Sequence, residues 1–148
     1  MKETLHYLLM ANHLTFQKAL LTGVKDKELT PGQPKILDYL RNHNGAVQKE
    51  IAEACHIDPA TITSVLTGME TKNLIIRKKQ DGNRRNSYVY LTEKGREHTQ
   101  YVEEVFDLIE EKALVGFTAG EKELLNKFLT RIYQNINGGK GAGFDVEK

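Results

Sequence analysis

Apolar residues recur at helical spacing along most of the chain and change to a strand-like run in one region. Residues 3–22 repeat Leu5, Leu8, Leu9, then Phe16, Ala19 and Leu20 at helical spacing, and Gly23 with the charged run Lys25-Asp26-Lys27-Glu28 ends the helix. Thr30 and Pro31 have the residue types of an N-cap and a first helical position. A second helix is therefore expected to open there, run through Ile36, Leu37 and Leu40, and close near Asn44-Gly45. A short helix from Gln48 to Cys55 turns Ile51, Ala52 and Cys55 inward. After the turn His56-Ile57-Asp58, Asp58 caps a further helix with Pro59 at its first position and with Ile62, Val65, Leu66 and Met69 on its inner face.

The period shifts after Asn73. Leu74-Ile75-Ile76-Arg77 and Ser87-Tyr88-Val89-Tyr90-Leu91 are rich in β-branched and aromatic residues, and the polar, turn-forming stretch 80–86 separates them. A β-hairpin with a long basic tip is expected. Thr92 then caps a long helix with Val102, Val105, Phe106, Ile109 and Ala113 on one stripe; Gly116 breaks it, and Thr118 begins a last helix carrying Leu124, Leu125, Phe128, Leu129, Ile132 and Ile136. Residues 137–148, rich in glycine, read as a flexible tail.

The chain has 148 residues, enough for one ordinary domain or one domain with an elongated appendage, and at 39% hydrophobic and 28% charged its composition is that of a foldable chain. The longest apolar runs, such as Leu8-Leu9-Met10-Ala11, are too short to span a membrane. Glu3 and His6 interrupt the first turn where a secretory leader would be apolar, and one cysteine, Cys55, allows no internal disulfide; a cytoplasmic protein is expected. No serine, cysteine or carboxylate falls in a recognisable catalytic arrangement. The glycine-rich tail lacks the Lys-Ser/Thr ending of a phosphate loop, so neither an enzyme nor a cofactor is expected.

Charge changes the picture once it is divided along the chain. The net charge is +1, yet residues 1–71 carry −1, residues 97–148 carry −4, and residues 72–96 carry +6. That middle segment holds Lys72, Arg77, Lys78, Lys79, Arg84, Arg85, Lys94 and Arg96 against Asp81 and Glu93. A concentrated basic patch is the footprint of a polyanion partner. The order of elements, helix, tight turn, second helix with a polar outer face, then basic hairpin, is that of a winged helix-turn-helix. A major groove admits one such helix, and a short helix packed crosswise fixes the angle at which it enters.

The candidate double-stranded-DNA contacts are Ala60, Thr61, Thr63, Ser64 and Thr67 on the second helix, whose small and hydroxylated side chains allow close approach. Gln48 at the head of the first helix joins them, with Lys72, Lys79, Arg84 and Arg85 from the basic segment. The terminal helices carry apolar stripes beyond a compact winged unit, and a second copy of the chain is the economical partner for them. The expected fold is therefore mainly α with a small β-hairpin wing: a winged helix-turn-helix over 30–92, and helical dimerisation segments over 1–22 and 93–136.

These stretches resemble the MarR family of bacterial transcription regulators. The resemblance rests on Leu29-Thr30-Pro31-Gly32-Gln33, Ile51-Ala52-Glu53, Asp58-Pro59-Ala60-Thr61-Ile62-Thr63, Leu74-Ile75-Ile76-Arg77 and the wing end Leu91-Thr92-Glu93-Lys94-Gly95, and covers about residues 1–136. It implies a homodimer with intertwined terminal helices that reads a palindrome, commonly a repressor released by a small aromatic ligand or an oxidant. Ser64 and Gly68 stand where many members carry basic residues, Asn73 where a turn glycine is common, and Asn83 where an aspartate usually holds the wing arginine. For the ligand, His6, His13, Phe16 and Gln17 on the first helix and Tyr39 on the second mix aromatic and polar groups suited to a phenolic acid. The same residues could equally serve packing and the dimer interface. Cys55 reads as core filler ahead of redox sensor. His6 and His13 share a helix face without an acidic or cysteine partner at fixed spacing, and no metal site is expected. A winged-helix protein-interaction module without DNA binding is the competing reading, because the second helix carries no charge from 59 to 69.

Overall fold

The computed structural model describes residues 3–80 and 83–138, with the side chains of 80–86 outside that description. Helix α1 (Leu5–Gly23) leads through a 3-10 turn (Lys25–Lys27) to α2 (Gln33–Asn42), α3 (Gln48–Cys55) and α4 (Pro59–Thr71). Strands β1 (Ile75–Gln80) and β2 (Asn83–Leu91) form the hairpin, followed by α5 (Glu93–Ala113) and α6 (Ala119–Ile136).

Local chemistry sets most of the boundaries. Side-chain oxygens of Thr4, Asp58, Thr92 and Thr118 each accept a hydrogen bond from the first turn of α1, α4, α5 and α6, and Thr118 with Glu121 forms a reciprocal capping box. His56 ends α3 in the left-handed conformation (φ 54°), and Asn73 turns the chain from α4 towards β1 at φ 60°. One expected boundary moves. Helix α2 opens at Gln33 rather than at Pro31, because Gly32 at φ 90° occupies the N-cap and breaks helical continuity with Thr30 and Pro31. The proline near the helix start is Pro34, and Thr30 instead shapes the preceding turn, its carbonyl accepting from Gln33 N and its N–H donating to Gln33 Oε1.

The hairpin is longer than the side-chain pattern predicts. Its antiparallel register runs from Ile75 opposite Leu91 to Lys79 opposite Ser87, then shifts so that Gln80 pairs with Asn83. Ladder bonds belong to the backbone, so the polar residues expected to form a loop extend the strands instead. The outer edge of β2 is covered by the segment before α3: Gly45 N donates to Val89 O, and Val89 N donates to Ala46 O.

One core joins the elements from the end of α1 to the first half of α5. Val24, Ile36, Leu37, Leu40, Ile51, Leu66, Met69, Leu74, Ile75, Val89 and Val102 are all essentially inaccessible to solvent. It takes in the end of α1 through Leu20 and Val24 and the first half of α5 through Thr99, Val102 and Val105. Close approach of α5 to the β1 entrance requires Gly95, where a Cβ would lie 2.0 Å from the Leu74 carbonyl oxygen. Helix α6 contributes no buried side chain.

Candidate nucleic-acid interface

Helix α4 is amphipathic in a way that separates packing from display. Ile62, Leu66 and Met69 are buried and Val65 is half-buried, while Ala60, Thr61, Thr63, Ser64 and Thr67 are exposed together on the opposite face. Gly68 is half-buried, and a Cβ there would sit 3.3 Å from Gln33 Nε2, so it serves the packing of α4 on α2.

The hydroxyls on the exposed face are held by neighbours. Gln48 Nε2 donates to Thr63 Oγ1 at 2.8 Å, across the two helices of the helix-turn-helix. Ser64 Oγ donates to Thr61 O (2.9 Å), and Thr67 Oγ1 donates to Thr63 O (2.9 Å). From β1, Arg77 Nη2 donates to Thr67 Oγ1 (3.0 Å) and to Glu70 Oε1 (3.0 Å). Its hydrogen bonding holds the Glu70 carboxyl below the ordinary glutamate value.

The basic segment divides on this geometry. Lys72 Nζ donates to Glu28 O and to Gln33 Oε1 (2.9 Å), fastening the end of α4 to the turn before α2, so its ammonium is already engaged within the fold. Lys94 Nζ donates to Lys72 O (2.8 Å), and Arg77 is paired with Glu70. Lys78 Nζ lies 5.3 Å from the centroid of the Tyr90 ring, and Lys79 is exposed on β1. Arg84 and Arg85 belong to β2, and their side chains lie outside the described residues. The structure thus brings Gln48 together with Thr63 and the rest of the exposed α4 face, and turns Lys72 inward.

Sequence reasoning missed Arg77, Glu70 and Gln33 as parts of this arrangement. Arg77 and Glu70 are seven apart across a turn, a separation that no helix or strand period marks, and only the return of β1 beside α4 joins them. Buried Gln33 accepts from both Thr30 N and Lys72 Nζ, an interaction spanning 39 positions in the second case.

The residues expected to form a ligand site do not converge. His6 and His13 are exposed and Gln17 is half-buried on α1. Tyr39 donates to Glu50 Oε2 (2.8 Å) and stacks on His43 with ring centroids 4.2 Å apart; burial and the Glu50 carboxylate push its phenol up to about 12. Phe16 alone of the five lines the cavity of about 340 Å³ between α1, α2 and α5, beside Phe106, Asp38, Arg41, Glu103, Asp107 and Glu110. Arg41 bridges Asp38 and Glu103 there. Burial pushes the Asp38 carboxyl up, and nearby Glu103 and Asp107 add to this against the lowering by Arg41. Cys55 is buried, its Sγ 3.6 Å from Lys35 O, and burial pushes the thiol up to about 11, which suits packing rather than thiolate chemistry. Among the described residues no group of three His, Cys, Asp or Glu side chains is placed to hold a metal ion, and no helix is long and apolar enough to cross a membrane.

Comparison with known proteins matches this region and the whole fold. The MarR family model matches residues 29–87. The HTH-type transcriptional regulator YybA of Bacillus subtilis is 30% identical over 112 residues, covering 76% of this chain and 75% of its own. A MarR family transcriptional regulator from Listeria monocytogenes, solved with a 26mer DNA, superposes with a TM-score of 0.83 at 24% identity, covering 99% of this chain and 100% of that one. The transcriptional repressor CouR, bound to a 23-mer DNA duplex, gives a TM-score of 0.76 at 26% identity over 88% of this chain and 92% of its own.

Proposed function

The chain belongs to the MarR family, and from that premise we propose that it is a homodimeric repressor that binds a palindromic operator through α4 and the hairpin wing. The observation that carries this reading is α4 itself. Its inner face is fixed in the core by Ile62, Leu66 and Met69, and its outer face displays small, hydroxylated, uncharged side chains that can approach base edges closely. The wing adds charge, with Lys79, Arg84 and Arg85 as its phosphate or minor-groove contacts. CouR, named a repressor and bound to duplex DNA, supports the assignment.

Dimerisation through the terminal helices supplies the second reading head. Leu124, Phe128, Leu129 and Ile136 of α6 and Leu5, Leu8 and Leu9 of α1 are exposed apolar positions that a second copy would cover. Two-fold symmetry then spaces the recognition helices about 34 Å apart, one DNA turn. Release by a small aromatic ligand belongs to the same proposal, with the site at the junction of α1, α2 and α5. Phe16 and Phe106, with centroids 6.1 Å apart, offer aromatic contact there. Asp38, Glu103, Asp107 and Glu110 outnumber Arg41, so an uncharged or cationic aromatic suits the site better than a phenolic acid. A cytoplasmic location accords with a regulator that must reach DNA.

The test is binding to duplex DNA across a salt series. The wild-type chain is expected to bind with log K falling linearly in log salt. Arg84→Ala/Arg85→Ala should reduce the slope by about one unit for each phosphate that is no longer neutralised. Absence of any salt-dependent affinity in the wild type would instead identify a winged-helix protein-interaction module.

A further inference from the structure

A threonine or serine hydroxyl can donate one hydrogen bond and accept two, so an exposed one reads donors and acceptors alike unless its proton is committed. On α4 the protons are committed unequally. Ser64 spends its proton on Thr61 O, and Thr67 spends its own on Thr63 O while also accepting from Arg77. Outward, both can only accept. Thr63 is the reverse case: its oxygen accepts from Gln48 Nε2, and its proton is left for an outside acceptor.

We propose that Gln48 and Arg77 are positioning residues for base specificity, acting through the hydroxyls of Thr63 and Thr67 rather than by touching bases themselves. Gln48 holds Thr63 as a donor. Arg77, its charge already met by Glu70, occupies one lone pair of Thr67 and leaves it a single outward acceptor position. The face of α4 therefore presents an ordered pattern, donor at Thr63 and acceptor at Ser64 and Thr67. In a major groove, the Thr63 donor matches N7 of a purine, O6 of guanine or O4 of thymine. The Ser64 and Thr67 acceptors match the exocyclic amine of adenine or cytosine. A helix with no charge would in this way still discriminate, with its polarity set from α3 on one side and β1 on the other.

This inference rests on the DNA-binding reading, and one substitution tests it sharply. Gln48→Glu replaces a donor amide with a carboxylate that can only accept, so Thr63 must turn its proton inward and become an outward acceptor. Base preference is measured by selection from random duplexes, followed by affinities for the single-base variants of the selected site. At the position read by Thr63, Gln48→Glu is expected to shift the preference by about tenfold towards a base bearing an exocyclic amine. The general loss of affinity from the added negative charge cancels in that ratio. In a Thr63→Val background the same substitution should leave the ratio unchanged, which closes a double-mutant cycle. Arg77→Met frees the second acceptor position of Thr67 and should likewise change the base preference there only while the Thr67 hydroxyl is present, and thermal melting confirms that each variant is folded. An equal shift with and without the Thr63 hydroxyl would overturn the proposal by showing that residue 48 contacts the base directly. An unchanged preference in Gln48→Glu would overturn it too, with DNA binding itself intact. A wild-type chain with no salt-dependent duplex affinity removes the function and this inference together.

Discussion

Helix α4 sends Ile62, Leu66 and Met69 into the core of its own chain, whereas α6 leaves Leu124, Phe128, Leu129 and Ile136 between 45% and 51% exposed. Both are capped, amphipathic helices, and nothing in their apolar spacing separates them. What differs is what the chain supplies opposite each stripe. Helix α4 faces α2, α3 and β1, so its apolar side is covered and its outer hydroxyls are bonded by Gln48 and Arg77. Helix α6 meets the helix-turn-helix where Tyr133 makes a T-shaped contact with His56, at 5.7 Å between ring centroids. The lesson is that a stripe announces a need for a partner without saying whether that partner lies within the chain. The distinction is between a surface finished by the chain's own packing and one that the chain leaves open.

Breaking the α6 side should have the largest effect. In the proposed dimer, Phe128→Glu/Leu129→Glu removes four apolar side chains from the interface, at about 1.5 kcal/mol each, so roughly 6 kcal/mol of association free energy is expected to vanish. Sedimentation equilibrium should then find monomers at micromolar concentration with helix content retained. A variant that stayed dimeric would place the interface elsewhere. Leu66→Ala tests the α4 side and should do the opposite, lowering the stability of the folded unit by about 3 kcal/mol through poorer packing and a residual cavity. Chemical denaturation measures it, with the dimer constant nearly unchanged so long as the chain is folded.

Much of this contrast is legible in the sequence, and the rest depends on distance along the chain. Caps at Asp58, Thr92 and Thr118 are local and can be read directly, as can the inward sets Ile51-Ala52-Cys55 and Ile62-Leu66-Met69. Gly32 is harder, because Thr30-Pro31 is a sound helix start by residue type and only the left-handed backbone of the next residue moves the start to Gln33. Charge counting finds the basic segment but weighs Lys72 and Arg77 as equal to Lys79. Their engagement with Gln33 and Glu70 follows from how α4, β1 and the turn before α2 meet in space. The ligand candidates share a chemistry along α1 and α2, yet helical geometry sends Tyr39 towards Glu50 and Phe16 towards Phe106.

The smallest effects come from two carboxylates, one on each side of the comparison, and their signs are opposite. Asp38 sits at the junction of α1, α2 and α5 with its carboxyl pushed above its ordinary 3.8, mainly by burial. Its ionised form is worse off folded than unfolded. The penalty is complete above the raised folded value, shrinks as pH falls through it, and is gone below the unfolded one. Glu70, on α4, is held below its ordinary 4.5 by Arg77, so its contribution is present above the unfolded value and is lost as pH falls through the depressed folded one. Asp38→Asn should accordingly stabilise the chain slightly at neutral pH and remove the gain seen on acidification. Glu70→Gln should destabilise it at neutral pH by about 0.5 kcal/mol at most, since the pair is partly exposed and screened by salt, and leave no difference from wild type at pH 2. Thermal melts of both variants from pH 7 down to pH 2 measure the two slopes. Curves of the same sign would show that Arg41 compensates Asp38 as fully as Arg77 compensates Glu70, and that the junction is no less finished than α4.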